Sequence, residues 1–168
     1  MKRIKRNIIP LIIVVITIIA SHFLVKYTEV ELLSIFDTFS LFTYFGVLIG
    51  FSITIYTFGL SMIGDIKKNI DRINKITQEE KKEMFRGLIN GFAQIKQDIW
   101  LIFIGILIII IFSILKNIVN PFGIEVEKYQ IPETVNLSLF ILSTIAMYDI
   151  MKTMFNLSEI NMELIKNE

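Results

Sequence analysis

The chain has 168 residues, of which 54% are hydrophobic and 20% are charged, and its formal net charge is +1. A soluble core of this size could not hide so many apolar side chains, so the composition excludes an ordinary water-soluble domain and predicts a membrane protein. The near-neutral charge provides no global field that would recruit nucleic acid, and the lack of cysteine excludes disulfides, thiolate nucleophiles and cysteine-ligated metals.

Four apolar runs follow one another along the chain, and a helix needs about 20 such residues to cross a bilayer. The runs predict membrane spans at about 8–25, 40–64, 99–116 and 134–151. We therefore expect an all-α membrane protein whose four transmembrane helices form a single membrane domain, 1–168. The bilayer lipid is its first partner.

The first span begins after MKRIKR, which is also how a cleaved signal peptide begins. The following IIASHF offers no small-x-small cleavage site, so we expect a retained span. His22, the only histidine, lies near the outer end of this span. We favour an interfacial ring there over a proton relay.

The second span carries a stripe of small and hydroxyl-bearing residues. At about 100° per residue they fall within about 80° of one another on the helix. They are Thr43, Gly46, Gly50, Thr54, Thr57, Ser61 and Gly64. We favour close helix packing along this stripe, within or between chains, because lipid provides no hydrophobic drive between helices. Alternatively, several copies surround a pore and turn the hydroxyls towards water or ions.

The outer loops bear on the pore alternative because they are acidic. Their carboxylates are Glu29, Glu31, Asp37, Glu125, Glu127 and Glu133. Around an opening these groups would concentrate cations, whereas without one they are solvated loop charges, which is the interpretation we favour.

Residues 65–98 are expected to form a cytoplasmic helical hairpin that extends spans two and three. TQEE, at 77–80, is typical of a capping box that begins a new helix. The returning helix has an apolar stripe that contains Phe85, Leu88, Phe92 and Ile95. This stripe either closes the hairpin on itself or docks a partner, and both remain open. Gly87 and Gly91, four residues apart, would let another backbone approach closely.

The fourth span is interrupted by an ionisable residue, Asp149. We expect Lys152, one turn later, to pair with it at the interface, in preference to ion coordination or gating. The tail, 152–168, is predicted as a C-terminal amphipathic helix with Leu157 on its apolar face. It lies along the inner leaflet, packs on the hairpin or docks a soluble protein.

The distribution of basic residues predicts the orientation. The N-terminal segment, residues 65–98 and the tail hold fourteen Lys and Arg residues, whereas the two remaining loops hold three. Because cytoplasmic segments carry the excess of Lys and Arg, both termini and the hairpin are expected in the cytoplasm.

Catalytic chemistry has little support in these residues. The chain has one histidine and no cysteine, and it contains neither HExxH nor a Gly-rich Walker loop. We expect no catalytic residue, no metal site and no cofactor, and therefore no enzyme.

The plan of four spans, with both ends inside and a cytosolic hairpin between spans two and three, resembles the small membrane subunits of bacterial two-protein antiphage systems, the Kiwa type in particular. The segments quoted for it are GFSITIYTFGLSM and TQEEKKEMFRGLINGF. The resemblance covers the whole chain and is architectural. It implies a homo-oligomer, with a tetramer favoured, that senses or effects defence at the bacterial inner membrane and docks a cytosolic partner.

Two functions follow from the sequence. The first is an oligomeric binding module, with Phe85, Leu88, Phe92, Ile95 and Leu157 as the partner-docking residues. The alternative is a homo-oligomeric ion channel or pore-forming effector that is lined by the second span.

Overall fold

A computed structural model describes the backbone of residues 2–28, 38–72, 77–117 and 131–166 and the side chains of 10–28, 39–72, 77–114 and 131–165. These residues form four helices, α1 (Lys2–Tyr27), α2 (Thr38–Arg72), α3 (Gln78–Asn117) and α4 (Ile131–Lys166). All four are long and apolar enough to cross a membrane, so the prediction of an all-helical chain with four such helices is confirmed. The predicted outer-loop acids, except Glu133, lie outside the described residues.

Three helices are much longer than a membrane span. α2, α3 and α4 contain 35, 40 and 36 residues, whereas a span needs about 20. α4 runs without a break through the tail, so the tail is the last part of the fourth helix and not a separate amphipathic helix. The physical reason is that neither glycine nor proline interrupts residues 133–166.

Local interactions determine where the helices begin and end. The predicted capping box is present: the Thr77 N–H donates to Glu80 Oε2 at 2.8 Å, and the Glu80 N–H donates to Thr77 Oγ1 at 3.3 Å. The Lys81 ammonium donates to the Asp71 carbonyl at 2.8 Å and so satisfies an acceptor at the end of α2. Pro132 lies in the first turn of α4, where backbone N–H groups have no acceptor within the helix. The proline therefore removes no helical hydrogen bond.

The helices form two compact units, of which unit 1 comprises Met1–Gly46 and Phe103–Ile145. Phe45 is fully buried in this unit. A Cβ at Gly105 would lie only 2.8 Å from Cε1 of Phe45, so α3 can approach this ring because position 105 has no side chain. The Tyr44 hydroxyl lies 2.7 Å from Thr144 Oγ1 and joins α2 to α4 within the unit.

α1, in unit 1, buries small polar residues and exposes large apolar ones. Thr17 and Ser21 are buried, and Val25 is buried against Leu137. The exposed residues include Ile12, Ile16, Ile19 and Phe23. A water-soluble helix has the reverse arrangement, with large apolar residues buried and polar residues exposed. The arrangement in α1 is favourable in a bilayer, because small polar residues allow close helix packing and large apolar residues contact acyl chains.

Unit 2 comprises Val47–Ile102 and Ala146–Glu168. Its fully buried side chains include Ile66, Ile95 and Ile150, one from each of its three helical segments. The rings of Tyr56 and Phe92 stack at 4.6 Å, and the Asn69 amide donates to the Asn161 amide oxygen at 3.5 Å. The tail of α4 therefore packs on α2, and it also packs on α3, where a Cβ at Gly91 would lie 3.7 Å from Cγ2 of Thr153. Packing on the hairpin is one of the three positions that the sequence left open for the tail.

Candidate functional site

The seven residues of the stripe on α2, named the outer stripe from here on, are all exposed. The buried side of α2 carries Leu41, Phe45, Ser52, Met62, Ile66 and Ile70. At about 100° per residue, this side lies about 180° from the outer stripe. A Cβ at Gly46, Gly50 or Gly64 would meet nothing within 4 Å. The outer stripe therefore has no packing partner within the described part of the chain.

The threonines of the outer stripe donate to their own helix. Their hydroxyls bond to the carbonyls four residues earlier, at 3.0, 2.9 and 2.8 Å for Thr43, Thr54 and Thr57. A hydroxyl bonded in this way brings no unsatisfied donor into apolar surroundings. The outer stripe is thus compatible with an apolar contact, while each hydroxyl oxygen keeps a lone pair for a further donor.

Large apolar side chains lie on both sides of the outer stripe. Ile53 and Leu60 are exposed along one side, and Phe51 and Phe58 are exposed along the other. Small residues between two rows of large ones form a furrow, and a row of side chains from another helix can pack into such a furrow.

The residues predicted to dock a partner lie mostly inside unit 2. Leu88, Phe92, Ile95 and Leu157 are buried. Phe85 is half-buried, and the Lys67 ammonium lies 5.5 Å from the centroid of its ring. The apolar stripe of α3 therefore closes unit 2, and the predicted docking residues that also line an open cavity are Leu88 and Leu157.

That cavity is a groove of about 670 Å³ between α3 and α4, named the α3–α4 groove from here on. Its apolar lining is Ile70, Met84, Leu88, Leu157, Ile160 and Leu164, and its polar lining is Gln94, Thr153, Asn156 and Glu163. Gly87 and Gly91 also line it. A Cβ at Gly87 would meet nothing within 4 Å, so the groove is open at this point. The sequence predicted that another backbone could approach Gly87 and Gly91 closely, but only the structure shows that α4 lies opposite them.

Asp149 has a different neighbour from the one predicted. Within the described residues, no ion pair joins Asp149 to Lys152, so that prediction is wrong. Lys152 is exposed, whereas Asp149 is half-buried and interacts electrostatically with Asp98 of α3. The Asp98 Oδ2 atom is buried and has no hydrogen-bond partner in the described part of the chain. Two carboxyl groups of unit 2 therefore lie within electrostatic range of each other, and no sequence signal indicated Asp98.

The polar residues near the end of α1 lie in unit 1. His22 Nδ1 lies 3.4 Å from Thr134 Oγ1, and the His22 ring is exposed. Ser21 is fully buried, and its hydroxyl has no hydrogen-bond partner among the described residues. In the sequence, the spacing of four residues between Thr17 and Ser21 was the signal that the two side chains share one face of α1.

Where the structure describes side chains, no group of three or more His, Cys, Asp or Glu residues is arranged to hold a metal ion. In comparisons with known proteins, the chain matches no protein-family model, no curated protein and no solved structure.

Proposed function

We propose that this chain is an oligomeric protein of the bacterial inner membrane that docks a cytosolic partner, as a sensor or effector of an antiphage defence system. The observation that carries the proposal is the exposure of the outer stripe directly opposite the buried side of α2. Small residues gain from close contact with another helix, and acyl chains offer no equivalent gain. The resemblance of the four-helix plan to Kiwa-type membrane subunits supports the defence role.

In the proposed orientation, both termini and residues 65–98 are cytoplasmic. The support is the concentration of Lys and Arg in these segments. Four of these residues on α2 and α3, Lys67, Lys68, Lys82 and Arg86, are exposed. Much of unit 2 is then available to a cytosolic protein.

Self-association uses the furrow along α2. Gly46 and Gly50 let a second helix approach closely, and Ile53 and Phe51 provide the apolar walls. Because the Thr54 and Thr57 hydroxyls already donate within α2, neither becomes an unsatisfied donor when the furrow is covered. A homo-oligomer, with a tetramer favoured, is the assembly that we propose.

The test of self-association is the substitution Gly50→Leu. We expect the particle mass in mild detergent to fall towards that of one chain, because the new side chain separates the two backbones. The chain itself should still fold, since nothing lies within 4 Å of a Cβ at this position. Ala20→Leu, at an exposed position of α1, is the matched control. An unchanged mass for Gly50→Leu would contradict assembly through the furrow.

The test of docking compares two buried leucines of α4. Leu157 lines the α3–α4 groove, whereas Leu137 is buried in unit 1. Truncation of either leucine to alanine should destabilise the chain by about 2–5 kcal/mol. We expect only Leu157→Ala to reduce co-purification of a cytosolic protein from the bacterial host. Equal recovery with both variants would argue against docking through unit 2.

A second candidate is a homo-oligomeric ion channel or pore-forming effector. It is favoured by the exposure of Thr54, Thr57 and Ser61 on one side of α2, since a ring of copies would turn these hydroxyls towards a common axis. Reconstitution into liposomes with an ion-flux assay tests it. Flux that Thr57→Leu abolishes would support a pore, and absence of flux from an oligomer of confirmed mass would exclude it.

A further inference from the structure

The end of α2 and the start of α3 are joined in unit 2 by the side chain of Lys81. This lysine lies near the start of α3, but its ammonium donates at 2.8 Å to the carbonyl of Asp71, the last residue but one of α2. Lys81 is buried, with 9% of its surface exposed, although it carries a charge. Burial of a lysine is uncommon and requires a hydrogen-bonding partner. Lys81 therefore interacts with α2 in place of water.

The charge of Lys81 is favourable for α2 and unfavourable for α3. A cation stabilises the C-terminal end of a helix, where the last carbonyls lack partners, whereas the N-terminal end favours an anion. The start of α3 obtains its anion from the preceding residue, Glu80. The Glu80 carboxylate accepts hydrogen bonds from the Thr77 N–H at 2.8 Å and from the Thr77 hydroxyl at 2.9 Å. Two consecutive residues of opposite charge therefore stabilise two different helix ends.

The two interactions depend on each other, because one helical turn positions both residues. The Lys81 N–H donates to the Thr77 carbonyl at 3.1 Å, and the Glu80 N–H donates to Thr77 Oγ1 at 3.3 Å. If this turn unwinds, the backbone that carries the Lys81 ammonium moves, and the Asp71 carbonyl loses its donor. Loss of that hydrogen bond favours unwinding of the last turn of α2, because its carbonyl has no partner within the helix.

We propose that Glu80 and Lys81 form a clasp that makes the first turn of α3 and the last turn of α2 open and close together. Glu80 keeps the turn of α3 closed, and Lys81 transmits the state of that turn to α2. All groups of the clasp belong to one chain, so the proposal requires neither a partner nor a second copy. A ligand that loosens one of these helix ends would therefore loosen the other.

Amide hydrogen exchange of the full-length chain in lipid nanodiscs measures the state of both helix ends, at residues 70–72 on α2 and 79–81 on α3. Glu80→Ala should reduce the protection of both segments by about threefold or more, because it removes the cap of α3. Its charge effect alone would strengthen the end of α2, where an anion is unfavourable, so a loss there reports the clasp. Glu79→Ala removes the same charge from the same turn. As the matched control, it should leave residues 70–72 as they are in the wild type.

A second set of variants tests whether Lys81 transmits the change. Lys81→Met keeps an apolar stem and removes the ammonium, so residues 70–72 should lose protection. Addition of Glu80→Ala to this variant should then reduce protection at residues 79–81 alone. Lys82→Met, at the exposed neighbouring position, is the matched control and should respond to Glu80→Ala as the wild type does. Slow exchange at Ile150, in the buried core of unit 2, shows that each variant is folded.

Two results would overturn the proposal. The first is wild-type protection of residues 70–72 in Glu80→Ala. The second is an equal loss at residues 70–72 when Glu80→Ala is introduced into the wild type and into Lys81→Met, which would mean that Lys81 does not transmit the change. The first comparison does not use Lys81→Met, so it tests the clasp even if that variant does not fold.

Discussion

Gly59 and Gly64 lie five residues apart on α2, and their surroundings are opposite. A Cβ at Gly59 would lie 2.6 Å from Cε2 of Phe92 and 3.0 Å from Sδ of Met154. Phe92 has little room to move because its ring stacks on Tyr56. A Cβ at Gly64 would meet nothing within 4 Å. The two glycines therefore have different roles: Gly59 allows close packing inside unit 2, whereas Gly64 keeps the outer stripe open.

This difference predicts opposite effects of a single methyl group. Gly59→Ala should lower the free energy of unfolding by about 1–3 kcal/mol, because the added methyl overpacks the contact with Phe92. Gly64→Ala should leave it unchanged or raise it by up to about 1 kcal/mol, because alanine favours a helix more than glycine does. Denaturant titration in detergent, followed by the fluorescence of Trp100, measures both. Equal stability of the two variants would contradict the packing of Gly59.

At the scale of elements, the start of α3 depends on a charged cap. Two hydrogen bonds lower the pKa of Glu80: the larger effect comes from the Thr77 N–H and the smaller from the Thr77 hydroxyl. Glu80 lies outside the predicted span at 99–116. A lowered pKa means that the folded chain favours the carboxylate. The carboxylate of Glu80 therefore stabilises the folded chain fully at pH values above the ordinary pKa of a glutamate. This stabilisation is lost as the pH falls through the lowered pKa.

The first turn of α3 should therefore fray in acid. Amide hydrogen exchange at residues 79–81, corrected for intrinsic rates, should show protection that decreases as the pH falls through the pKa of Glu80. Glu80→Gln keeps the size of the side chain and removes the charge, so its protection should be lower at neutral pH and nearly independent of pH. The same pH profile in both proteins would show that the carboxylate does not stabilise this turn.

The elements are also the scale at which the sequence was most informative. Apolar runs and the TQEE box predicted the four helices and the start of α3, because both signals are local. The continuation of α4 through the tail was visible in the lack of glycine and proline, but the interruption at Asp149 and the amphipathic pattern of the tail suggested a separate helix. The electrostatic interaction of Asp149 with Asp98 was not predictable, because it depends on the packing of α3 against α4 within unit 2.

For the whole molecule, the sequence located the candidate surfaces better than it located their partners. The outer stripe was predicted from periodicity, but periodicity does not distinguish a face that packs within the chain from one that turns outwards. In the same way, Phe92 and Ile95 have the pattern of a docking surface and are buried in unit 2. A helix in lipid can bury either its small or its large residues, so hydrophobic pattern alone leaves the direction of each face open.

The orientation of the whole chain is a prediction that the composition makes easy to test, because the protein has no native cysteine. Single substitutions Lys82→Cys, in the predicted hairpin, and Lys128→Cys, in a predicted outer loop, provide one thiol each. In intact spheroplasts, a membrane-impermeant maleimide should label Lys128→Cys, whereas Lys82→Cys should react only after permeabilisation. The reason is the excess of Lys and Arg in the N-terminal segment, residues 65–98 and the tail, which cytoplasmic segments retain. The reverse pattern would place unit 2 outside the cell, where no cytosolic protein could reach the α3–α4 groove.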